Sequence, residues 1–264
     1  MSAGLLRNKV AVIYGAGGDV GRATARAFAR EGARVFLAGR NRPSLDAVAG
    51  DIAAAGGRAE AMPVDALDAD AVDAHADRIV TAAGGIDISF NCIEQNAEQG
   101  TPVIEMGLDA FVRPVAEVAR THFLTGRAAA RHMSRQKSGL ILAITANVAA
   151  VAAPNTGAFG VTCAAIEAIC RQFMVELGPL GIRVVCLRSS GSPDTRGVGE
   201  VLKLHSAIAG TTPEALEQEW TRAVPLRRMP RVAEIAGAAV LMASGYASAV
   251  TGEVVNLTCG QLQD

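Results

Sequence analysis

The sequence predicts a doubly wound α/β domain in which a seven-stranded parallel sheet carries helices on both faces. Three observations carry that expectation. Short apolar runs alternate with longer amphipathic stretches along all 264 residues, the pattern of repeated strand–helix–strand units. Half of the residues are hydrophobic and only 4% are aromatic, so the core must be built mainly from Ala, Val, Leu and Ile packed between layers. A glycine-rich stretch leads from the first apolar run into the first amphipathic one.

The first strand is expected at Val10–Tyr14, apolar throughout as a strand covered on both faces must be, and a helix at Val20–Glu31 follows it. Arg34–Ala38 then leads into a helix at Ser44–Ala55, and Ala59–Val64 into one at Ala69–Ala83. Ile86–Phe90 precedes the long helix Leu108–Arg135, and Leu140–Thr145 precedes the helix Gly157–Leu177. Arg183–Leu187, the helix Val232–Met242 and the strand Glu253–Leu257 complete the series, with Gly or Pro at many junctions. The segment 189–228 breaks the rhythm, with helical pieces near Val198–Ala207 and Pro213–Thr221; it reads either as a lid over a ligand or as a passive surface excursion. The length suits one domain, residues 1–264.

Charge excludes some functions. Lys and Arg number 25 against 26 acids, so no global field draws the chain to nucleic acid or to a membrane surface. No apolar run reaches the ~18 residues of a bilayer span, and Met1–Asn8 is too short and polar for a secretion signal, so a cytoplasmic protein is expected. Cys92, Cys163, Cys170, Cys186 and Cys259 form no Cys-x-x-Cys pair and read as buried, reduced thiols. His and Cys show no zinc spacing, and Asp65, Asp68, Asp70, Asp73 and Asp77 read as a solvated helix start and face, so no metal is expected.

The run from Val10 to Arg22 passes from strand through glycines into helix, the Rossmann-type arrangement for a dinucleotide. Gly15 can make the tight turn, Gly18 can let a pyrophosphate approach the backbone, and Gly21 can let helix pack on strand. Asp19 is discordant beside a pyrophosphate, unless its carboxylate points to solvent or caps the helix. After the second strand the chain reads Gly39-Arg40, where sites preferring NAD place an acid. Arg40 can instead pair with a 2′-phosphate, which favours NADP over NAD.

These residues resemble the short-chain dehydrogenase/reductase family along nearly the whole chain. Glu176–Val184, Pro230–Ala236 and Ser248–Glu253 are similar to its helix-to-strand passage and to its last helix and strand. The resemblance places Asp65 beside the adenine and Asn91 at the start of the family's Asn-Asn-Ala-Gly motif, which continues here as Cys92, Ile93 and Glu94. It also implies dimers or tetramers formed through the two long helices, with the small-residue run Gly126–Ala130 permitting close approach. Two departures stand out. The family's middle turn glycine falls on Asp19, and its catalytic groups are replaced: Val118 for the relay Asn, Ala146 for the Ser, Phe159 for the Tyr and Cys163 for the Lys one helical turn later.

Phe cannot exchange a proton and Cys carries no fixed positive charge, so the family's usual proton transfer to a carbonyl oxygen is not on offer at those positions. Thr145, Asn147, Thr162, Cys163, Glu94 and Arg188 are the nearby residues that could serve instead, although each reads as readily as a lining side chain. Cys163 reads better as a buried inert thiol than as a nucleophile. Three functions follow: an NADP-dependent oxidoreductase of a small molecule with a non-standard site, a non-catalytic NADP-binding or sensing protein or inactive partner subunit, and a redox-neutral enzyme on the same fold.

Overall fold

The computed structural model describes residues 4–222 and 224–263. Its sheet contains β1 (Val10–Tyr14), β2 (Arg34–Ala38), β3 (Arg58–Ala61), β4 (Ile88–Asn91), β5 (Gly139–Ala146), β6 (Ile182–Ser189) and β7 (Val254–Leu257). All seven are parallel, in the order β3-β2-β1-β4-β5-β6-β7. The strand order reverses between β1 and β4, and a crevice opens beyond the carboxyl ends of the strands at such a reversal.

Alternation along the strands divides the core in two. Ala11 and Ile13 of β1 pack with α1 (Asp19–Arg30), α2 (Arg42–Ala54) and α8 (Val232–Ala243), whereas Val10, Val12 and Tyr14 pack with α3 (Ala69–Ala83), α4 (Leu108–Gln136) and α5 (Phe159–Leu177). Strands covered on both faces explain the apolar runs in the sequence.

The element boundaries differ from the sequence expectation where a local group intervenes. Asn41 caps α2 two residues earlier than expected, its carboxamide oxygen accepting from Ser44 N at 3.0 Å, with Pro43 in the first turn. Helix α5 starts at Phe159 because Gly157 has φ +54°, outside the right-handed helical region. Strand β3 ends at Ala61, two residues before Pro63, which has no N–H to give to a ladder. Strand β4 begins only at Ile88, and Gln136 holds both backbone groups of Ile86.

Gly126, Ala128, Ala129 and Ala130 of the small-residue run are turned inward, while Arg127 between them reaches Asp73. Gly126 lies so close to the Phe173 ring of α5 that a Cβ there would overlap it, and Ala128, Ala129 and Ala130 are buried in the core. The close approach that these residues permit is therefore made within the chain. All five cysteines are free thiols; four are buried, while Cys259 is half-exposed and departs from the expectation. Among the described residues no helix is long and apolar enough to cross a membrane.

Residues 189–228 form α6 (Arg196–Ala209) and α7 (Pro213–Arg222), close to the helical pieces expected there. Thr195 caps α6, and Gly210 ends it in the left-handed conformation. The two helices stand over the crevice.

Candidate cofactor and substrate crevice

The glycine turn is built by steric necessity. Gly15 has φ +81° and its Cβ would come within 2.6 Å of the Cys92 carbonyl, while a Cβ at Gly21 would overlap the Gly15 carbonyl. Gly18 is different: it is exposed, it caps α1 without a side chain, and its Cβ would meet nothing nearer than 3.4 Å. Glycine there leaves the first amides of α1 uncovered toward the crevice, the arrangement that suits a phosphate. Arg22, one turn into α1, donates to the Gly17 carbonyl at 3.1 Å, and its buried Nε has no protein partner.

Asp19 neither caps its own helix nor points free into solvent. Its carboxylate accepts from the backbone N of Arg196 at 2.8 Å, an orphan amide at the start of α6. The Glu94 carboxylate lies against the same turn, 3.0 Å from where a Cβ on Gly197 would sit. Both acids join the glycine turn and the β4–α4 loop to the start of α6.

A crevice of about 1130 Å³ runs from Gly17 and Gly18, past the ends of β5 and β6, to the undersides of α6 and α7. Asn41 and Ser44 line it, whereas Arg40 and Asp65 are exposed outside its walls, with Asp65 accepting from Leu67 N at 3.0 Å. Asn91 is buried, and both ends of its carboxamide are spent within the protein: Nδ2 donates to Thr125 Oγ1 and Oδ1 accepts from Ile93 N, each at 3.1 Å. It shapes the chain leaving β4.

Val118 is buried on α4, where its carbonyl accepts from His122 Nδ1 at 3.0 Å. Ala146 ends β5, Phe159 opens α5, and both line the crevice. Cys163 lies one turn beyond Phe159, its thiol directed at Gln95 Oε1 at 3.6 Å and pushed up in pKa by burial, a setting that opposes thiolate chemistry. Thr162 also bonds Gln95. The two tyrosines and three lysines of the chain lie elsewhere: Tyr14 is buried in β1, Tyr246 is exposed after α8, and Lys9, Lys137 and Lys203 are off the crevice walls.

Between β5, α5 and β6 is an ionic cluster that sequence spacing did not reveal. Arg188 at the end of β6 donates through Nε and Nη2 to the two oxygens of Glu167 on α5, each at 2.8 Å, and Thr145 donates to the same carboxylate at 3.0 Å. Asn147 lies farther out and donates to Gln261 at 3.1 Å. Two further residues were also missed, His205 on α6 and Trp220 on α7. Their signal was present in the sequence only as an imidazole and an indole within the segment that broke the strand–helix rhythm.

The family model described as enoyl-(acyl carrier protein) reductase matches residues 15–261. An uncharacterized oxidoreductase of Bacillus subtilis (strain 168), YxbG, is 32% identical over 261 residues, which cover 97% of this chain and 92% of that one. NAD⁺-bound xylitol dehydrogenase superposes with a TM-score of 0.88 at 28% identity, covering 96% of this chain and 98% of its own. A 7α-hydroxysteroid dehydrogenase holding NADH and 7-oxo glycochenodeoxycholic acid superposes with a TM-score of 0.84 at 30% identity, covering 100% of this chain and 98% of its own. The seven-stranded order, the glycine turn and these matches together make the chain a member of the short-chain dehydrogenase/reductase family of oxidoreductases.

Proposed function

We propose that the chain binds NADP at the glycine turn and interconverts a small carbonyl and its alcohol under the lid, without a tyrosine–lysine pair. The observation that carries this reading is the continuity of the crevice from Gly18 to Trp220. Its volume of about 1130 Å³ is beyond the ~300–1,000 Å³ of a site for one small ligand, and supports two ligands end to end. When bound, the dinucleotide gives or takes the hydride. The first amides of α1 and the Arg22 guanidinium hold its diphosphate, Arg40 meets the 2′-phosphate, and Asp65 meets the adenine. With no phenol or ammonium on the walls, charge on the substrate oxygen is met by neutral donors, and its proton exchanges with solvent.

The second reading, an NADP-binding protein without hydride transfer, is favoured by Val118, Ala146, Phe159 and Cys163. Calorimetry with NADPH and NADH, followed by NADPH consumption against a panel of ketones and aldehydes, separates the two. Binding with turnover supports the oxidoreductase; binding with no hydride exchange supports the second reading; the absence of nucleotide binding overturns both.

Asp19 works against the diphosphate through its charge. Two unit charges about 4 Å apart in a water-like medium interact by about 1 kcal/mol. Asp19→Asn keeps an acceptor for Arg196 N and is expected to tighten NADPH binding about fivefold. Unchanged or weaker affinity would mean that the carboxylate turns away from the bound phosphates.

We also propose that α4 and α5 form the contact between subunits. Phe123, Val161 and Val175 expose apolar surface on these helices, which supports a dimer or tetramer. Light scattering that gives a monomer mass at micromolar concentration would refute it.

A further inference from the structure

We propose that the lid half of the crevice selects an uncharged, largely hydrocarbon alcohol or ketone and grips its one polar group through His205 and Gln99. The proposal rests on the oxidoreductase reading and adds the class of substrate.

The two halves of the crevice differ in chemistry. Its charged lining residues Asp19, Arg22, Glu94 and Arg196 all gather at the glycine turn and the first turn of α6. His205 is nine residues further along α6, and at 1.5 Å per residue this places it about 13 Å beyond Arg196. The apolar lining of the crevice includes Val151, Ile208, Leu216, Trp220, Val224 and Met229, with Trp220 against the His205 ring and Ile208 one turn further along α6. Ile208 and Val151 are 49% and 55% exposed, so apolar surface inside a concave site still faces water and gains by being covered. A carboxylate or phosphate moved there would lose its hydration without meeting a cation, which is strongly unfavourable.

His205 is the one titratable group in this half among the described lining residues. Its Nε2 lies 3.2 Å from Gln99 Oε1, and its ring stands edge-on to Trp220 with centroids 6.2 Å apart. Partial burial lowers its pKa, which favours the neutral ring. A neutral imidazole bonded to a carboxamide leaves the other ring nitrogen and the far end of the amide over, one of them donating and the other accepting. If His205 gives Nε2–H to Gln99, Nδ1 accepts and the Gln99 amide donates; if both the tautomer and the amide are reversed, the roles exchange. Either way the remaining pair complements a hydroxyl, which both donates and accepts, and it carries no charge to match an ion.

Trp220 is the sole tryptophan of the chain, so its fluorescence reports occupancy of this half. The full chain is titrated with cyclooctanol and with cyclooctanecarboxylate, which share a carbon skeleton, with and without NADP. A saturable change is expected with cyclooctanol, and binding at least about tenfold weaker with the carboxylate. His205→Phe, which keeps the apolar bulk, is expected to weaken cyclooctanol about fivefold to tenfold, the worth of one hydrogen bond, with Tm unchanged. Equal or preferred binding of the carboxylate, or no saturable change with cyclooctanol in either condition, overturns the proposal. Binding of cyclooctanol in a protein that does not bind NADP would leave the pocket chemistry standing and remove the oxidoreductase reading; binding of NADP without cyclooctanol would do the reverse.

Discussion

Glu167→Ala is expected to destabilise the protein by about 3–5 kcal/mol, the usual cost of breaking a buried ion pair from one side. At about 2–4 °C per kcal/mol for a chain of this size, Tm falls by about 10 °C. The Glu167 side chain is 6% exposed and that of Arg188 11%, so solvent screens the pair little. Alanine removes two charge-assisted bonds from a guanidinium that stays inside, and it also takes the acceptor from the Thr145 hydroxyl. The double replacement Glu167→Met with Arg188→Leu is expected to recover most of the loss, because burying both charges cost desolvation in the first place. Thermal melts of the single and double variants check this. A loss below about 1 kcal/mol in Glu167→Ala would show a pair behaving as a surface salt bridge.

The same cluster explains what the sequence could and could not convey. The strands were legible because a strand buried on both faces is apolar along most of its length, as β1 is throughout, and the turn because Gly15 and Gly21 admit no other residue there. Burial of Glu167 and Arg188 was not legible. The acid stands on α5 with Ile166 and Cys170, the base stands near the end of a mostly apolar strand, and the two meet across 21 residues. Distance in sequence hid more: Asp19 finds Arg196 across 177 residues, and His205 finds Gln99 across 106. Asn91, which the family resemblance places at the cofactor site, bonds Thr125 and the backbone of Ile93 through its carboxamide in this structure.

Arg40→Ala is expected to weaken NADPH binding by about 1.5–3 kcal/mol, roughly tenfold to a hundredfold, and to leave NADH binding unchanged. The end of β2 presents two cations, and they are not equivalent. Arg42 is held by Asp46 through two contacts of 3.1 Å within α2, whereas Arg40 is exposed and makes no ion pair or hydrogen bond among the described residues. Arg40 can therefore turn to a 2′-phosphate without giving up a partner, and Gly39 beside it puts no carboxylate where a ribose hydroxyl would otherwise be bonded. Exposure also makes the contribution salt-dependent: at the ~10 Å screening length of 0.1 M salt the pair persists, and at 1 M, where that length is ~3 Å, the difference between NADPH and NADH should shrink. Calorimetric titration of both nucleotides at the two ionic strengths reads the effect directly. If NADPH and NADH bind alike in the unaltered protein, or if Arg40→Ala weakens both equally, the guanidinium is a solvated turn residue and the 2′-phosphate is not what this crevice recognises.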